Sequence, residues 1–132
     1  MIECNSITEV QNDPAYESDT RSFSCSDGAL FIDIETAENE VHRVTFGEQI
    51  WAFRYMEEGD LTYYWQSGKF DGNYLVYEIT AGGWLSKEQS PIDILGVARA
   101  GNWLREWFVP TRNFSVTVLS NSQPIIERIP NA

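Results

Sequence analysis

The stretch Arg21–Glu35, "RSFSCSDGALFIDIE", decides how the rest of the chain is read. Asp27-Gly28 stands between two β-prone runs, and glycine there supplies the positive φ that a tight hairpin turn requires. In the second run Leu30, Ile32 and Ile34 fall on one face, with Phe31, Asp33 and Glu35 on the other. That two-residue period belongs to a half-buried strand, so the fold is expected to be built from antiparallel strands.

Working outward, "VHRVTF" (41–46) and "QIWAFRYM" (49–56) read as two more strands joined around Gly47. In the second, Ile50, Ala52, Arg54 and Met56 oppose Trp51, Phe53 and Tyr55. Both faces are largely apolar, which predicts a central strand. "EEGD" (57–60) is a turn, and "LTYYWQ" (61–66) suits a strand or the start of a short helix. "YLVYEIT" (74–80) is a strand by its aromatic and β-branched content. "GWLSKEQS" (83–90) predicts one or two helical turns ended by Pro91, and "DILGVARAG" (93–101) fits strand or helix.

Within "NWLREWFVPT" (102–111), Trp103, Arg105, Trp107 and Val109 alternate with Leu104, Glu106 and Phe108. "NFSVTVLS" (113–120) alternates in the same way, and Pro110–Asn113 suits the hairpin loop between them. "PIIERI" (124–129) reads as a last strand at a sheet edge, where Pro124 is tolerated. The expected fold is mainly β, with α+β as the alternative. Seven to nine short strands form an antiparallel sheet, curled or packed as a sandwich, with one short helix near 83–90. Residues 1–20 carry five acids and no base and are expected to be an acidic, loosely packed arm; residues 21–132 form a single β-rich domain.

A chain of 132 residues is the size of one domain, and 42% apolar content with five Trp, six Tyr and seven Phe supplies a core. No uncharged apolar run approaches the roughly 20 residues a bilayer needs. The N-terminal "MIECNSITEV" lacks the basic lead and apolar stretch of a secretory signal, so a cytoplasmic address is expected. Cys4 and Cys25 read as free thiols, and with one histidine no zinc site is expected. No cofactor is implied.

The net charge is −11, and it is uneven. Residues 1–60 hold fourteen Asp/Glu and three Lys/Arg, while residues 61–132 hold six of each sign. Such a field repels phosphates, arguing against direct nucleic-acid or anionic-membrane binding. It raises the encounter rate of a basic partner, and equally it keeps a protein soluble.

"RYMEEGDLTYYW" (54–65) concentrates carboxylates and rings. Glu57, Glu58 and Asp60 surround Gly59 on one turn, without the opposed geometry across a cleft that glycoside hydrolysis needs. Asp33 and Glu35 share a strand face with His42 or Arg43 on the next strand, which suits cross-strand ion pairs worth about 0.2–1 kcal/mol each. Ser24 and Cys25 lack a nucleophile elbow, and "TAGGWL" (80–85) lacks a P-loop lysine. The chain is therefore expected not to be an enzyme. Its aromatics mostly suit the core, but Trp and Tyr are also preferred interface anchors.

"NYLVYEITAGGWLSKEQ" (73–89) followed by "NWLREWFVPTRNFSVTVLSNSQPII" (102–126), with "VTFGEQIWAFRYMEEGD" (44–60) before them, resembles the small acidic immunity-type proteins carried beside bacterial toxin genes. The resemblance spans residues 41–126. It implies a binder with no catalytic residues. The expected function is an acidic protein that neutralises a basic partner, a cognate bacterial toxin being the candidate, by blocking its active cleft. Glu57, Glu58, Asp60 and Tyr63, supported by Asp33 and Glu35, are the expected partner-binding residues. The alternatives are a small-ligand or carbohydrate-binding β-sandwich that uses Trp and Tyr as a stacking shelf, and a phage-type acidic mimic of nucleic acid.

Overall fold

Asp27 and Gly28 both take positive φ, 52° and 80°, the geometry of the primed turns that match the right-handed twist of paired strands. The hairpin is closed by Ser26 opposite Ala29. In a computed structural model, residues 3–6, 18–36, 39–47, 50–57, 66–68, 70, 74–84, 104–112 and 114–130 are described. They contain β1 (Glu3–Ser6), β2 (Asp19–Ser26), β3 (Ala29–Glu35), β4 (Val41–Phe46), β5 (Ile50–Glu57), β6 (Tyr77–Ala81), β7 (Arg105–Val109), β8 (Phe114–Ser120) and β9 (Ile125–Ile129).

These strands form two antiparallel sheets packed face to face. The larger has the order β1-β6-β7-β8-β5 and the smaller β2-β3-β4-β9. Leu30, Ile32 and Ile34 face inward as expected, and the register sets Phe46 opposite Leu30 and Val44 opposite Ile32. From the larger sheet they meet Trp107, Val109, Val116 and Val118, and Leu75 and Val76 complete this buried cluster. The Trp107 indole N–H donates to the Ser120 carbonyl at 3.1 Å, so the largest core side chain is also polar-satisfied.

The larger sheet is buried on its second face too. Phe70, Tyr77, Ile79 and Phe108 cluster there, and Leu104 and Leu119 pack beside Ala52 and Trp84. This explains why β7 and β8 are buried at nearly every position. The smaller sheet turns its outer face to solvent. There Arg43 grips Asp33 through two bonds of 2.8 and 3.1 Å, Ser22 donates to the same carboxylate, and Arg21 lies 3.4 Å from Glu35. Outside the ladders, the start of β2 is clasped to the β7–β8 hairpin. Arg112 N donates to Ser18 O, the Thr20 and Thr111 hydroxyls meet at 2.8 Å, and Arg112 pairs with Asp19.

Three expectations are revised. "QIWAFRYM" is not central: among the described residues β5 bonds only to β8 and is an edge. Its two apolar faces have separate sources, one packed beneath Trp84 and the other meeting Phe23 across the sandwich. The strands expected on either side of Gly47 are both present, as β4 and β5, and they belong to different sheets. His42 sits on the inward face opposite Ile34 and is buried, with Nε2 3.4 Å from Glu40. Part of the expected N-terminal arm is strand, since Glu3–Ser6 pairs with β6. The last strand does lie at an edge, beyond β4. Of the segments 83–90, 61–66 and 93–101, only Gly83, Trp84 and Gln66 are among the described residues. No helix among the described residues is long and apolar enough to cross a membrane.

Candidate functional site

The exposed large hydrophobic side chains concentrate on one strand. Among the described residues Trp51, Phe53 and Tyr55, all on β5, are 45%, 38% and 44% exposed, and the one other exposed large hydrophobic side chain is Ile125 on β9. The cause is geometric. Phe53 and Tyr55 pair with Val118 and Val116, so they point to the same side as the buried core. At the rim of the larger sheet, the opposing sheet offers, among the described residues, only its own edge strand β2. Burial is therefore left incomplete.

What β2 offers is Phe23, the one large apolar residue among Ser22, Ser24, Cys25 and Ser26. Its ring lies 5.3 Å from Phe53 and 5.1 Å from Tyr55, tilted against both, and Tyr55 stacks on Phe114 at 4.7 Å. Partial burial holds the Tyr55 phenol above its ordinary pKa, so it stays a neutral hydrogen-bond donor. The result is an aromatic ridge spanning both sheets, amphipathic at Tyr55, of the kind that anchors interfaces.

The other face of β5 is arranged differently. The Arg54 guanidinium lies over the Trp84 ring at 4.2 Å, and its Nε is buried. The one basic side chain of β5 is therefore folded under the Gly82–Trp84 turn. Trp84 is held in place because its backbone N–H donates to the buried Glu106 carboxylate at 3.0 Å. Gly83 permits that approach, since a Cβ there would meet the Glu106 carboxylate and, at 2.7 Å, the Ile79 side chain.

The expected site residues divide accordingly. Asp33 is engaged on the outer face of the smaller sheet: the Arg43 hydrogen bond holds its carboxyl below the ordinary range, against the opposing effect of burial. Glu35 is on the same face, beside Arg21. Both lie in a different sheet from Glu57, which ends β5 opposite Phe114. Glu58, Asp60 and Tyr63, and the side chain of Glu57, lie outside the described residues. The sequence reading overlooked Phe23, Phe53 and Phe114 as site residues. A lone phenylalanine in a serine-rich strand was the available signal for Phe23.

Among the described residues no group of three or more His, Cys, Asp or Glu side chains is placed to hold a metal ion. Comparison with protein-family models, with curated proteins and with solved structures finds no match to this chain.

Proposed function

We propose that this chain is a non-enzymatic binding protein that neutralises a basic protein partner by covering its active cleft, a cognate bacterial toxin being the partner suggested by the sequence resemblance. The observation that carries the reading is the aromatic ridge on β5, running in sequence directly into Glu57, Glu58 and Asp60. Exposed rings beside carboxylates combine apolar anchoring with attraction for Lys and Arg. The net charge of −11 extends that attraction beyond contact range. Asp33 and Glu35 are already engaged by arginines of this chain, so the carboxylates following β5 carry the reading more directly.

The carbohydrate-shelf alternative is less well supported. A sugar stacks on an open ring face, and here Tyr55 is stacked by Phe114 while Phe23 tilts against Phe53 and Tyr55.

The test is to co-express the product of the neighbouring reading frame with this chain and score growth. Binding is then measured for wild type and the Glu57→Lys/Glu58→Lys double variant across a salt series. Rescue of growth is expected, with slower association and a shallower salt dependence in the variant. Unchanged affinity and salt slope would remove these carboxylates from the site, and a neighbouring product with no effect on growth would remove the toxin assignment.

A further inference from the structure

Among the described residues, the four strands that end the two sheets are β1 and β5 in one, β2 and β9 in the other. Proteins normally blunt such edges, because unpaired backbone N–H and C=O groups template the addition of another strand. Three of these edges carry recognisable protections. β1 is only 4 residues long. β2 is serine-rich, carries Arg21 on an exposed position and shifts register between Thr20 and Ser22. β9 is bracketed by Pro124 and Pro130 and presents Glu127 and Arg128.

Among the described residues, β5 has no comparable protection along most of its length. It is 8 residues long, "IWAFRYME", with neither lysine nor proline. Its register irregularity is confined to Ile50–Ala52, leaving Ala52–Glu57 in regular pairing with β8. Arg54, its one basic residue, turns its guanidinium beneath Trp84.

We infer that β5 is a docking edge, and that the partner supplies an extended basic segment that adds to the larger sheet beside β5. Main-chain hydrogen bonds supply register and affinity in this mode, and alternate side chains supply specificity. Side chains on one face of the added strand would meet Phe53 and Tyr55. The net charge of −11 favours Lys or Arg in the added strand. Charge selects this occupant over a second copy of the chain, which would bring another −11 to the same edge. The inference deepens the proposed binding of a basic partner and rests on it.

The probe is a displayed library of random decapeptides selected against the chain, with backbone amide exchange followed by NMR before and after addition of the selected peptides. The expected outcome is enrichment of Lys/Arg alternating with β-branched residues, new protection confined to β5 amides, and at least about tenfold weaker binding by the Phe53→Lys/Tyr55→Lys variant. Protection at another edge would overturn the β5 assignment while leaving a basic partner standing. So would outward β5 amides already protected in the isolated monomer. Concentration-dependent protection of β5 with dimers in sedimentation would assign the edge to a second copy. Selection of neutral or acidic peptides, or of none, would overturn the inference and the basic-partner reading together. Because amide protection is read on the unmodified chain, the result stands even if the double variant fails to fold.

Discussion

Gly83→Ala sets two effects of opposite sign against each other, and the structure decides between them. Gly83 does not occupy the left-handed region of φ. Replacing such a glycine by alanine ordinarily stabilises by about 0.4–1 kcal/mol, because the unfolded chain loses freedom. Here the new methyl would meet Ile79 Cγ2 at 2.7 Å and Glu106 Oε1 at 2.8 Å, both well inside van der Waals contact. Glu106 is 2% exposed and accepts the Trp84 N–H, so it has little room to retreat. Overpacking a filled site costs about 1–3 kcal/mol, and weakening a hydrogen bond to a buried carboxylate adds about 1.5–3 kcal/mol. Even the lower ends of these ranges exceed the entropic gain, so the net expectation is destabilisation by about 2–4 kcal/mol. In urea, with a slope of about 2 kcal/mol/M, the midpoint should fall by about 1–2 M. Adding Glu106→Ala removes one of the two clashing groups, so the double variant should lose less than the sum of the single losses. An unchanged or raised midpoint for Gly83→Ala would refute the close packing of Gly83 on Glu106 and Ile79.

Asp33→Asn removes a carboxylate whose pKa is lowered by Arg43 and Ser22. A depressed carboxylate contributes stability that is complete above its unfolded value and lost as pH falls through its folded value. The variant should therefore be less stable than wild type at pH 7, and the gap should close below about pH 4 in urea melts at stepped pH. Trp107→Phe should cost about 2 kcal/mol, since it opens a gap in the shared core and leaves the Ser120 carbonyl without its indole donor; thermal melting checks this. Gly28→Ala places a Cβ at φ 80° in the β2–β3 turn and should cost about 1–2 kcal/mol by the same measurement.

Strand identity was legible because it depends on period and turn chemistry, both local properties. Leu30, Ile32 and Ile34 announce the inner face of β3, and Asp27-Gly28 announces the turn before it. A cross-strand ion pair at Asp33 was also legible, since adjacent strands of a meander bring such residues opposite each other, but the choice of Arg43 over His42 came from the register. The place of β5 was not. Ile50–Met56 is apolar on both faces, and that pattern describes equally a strand inside a sheet and an edge strand held between Trp84 on one side and Phe23 on the other.

The sequence by itself determined the antiparallel β class, most of the strands, the acidic first half and the supply of aromatic anchors. Each follows from composition or from contacts within a hairpin. The tertiary structure decided which edges exist and what lies on them. It drew Asp33 and Glu35 into ion pairs on the smaller sheet, buried His42, folded Arg54 beneath Trp84 and brought Phe23 against Phe53 and Tyr55. Phe23 and Tyr55 are distant in sequence and belong to different sheets, so no periodicity along the chain records their meeting. It arises when two twisted sheets pack face to face and their rims diverge.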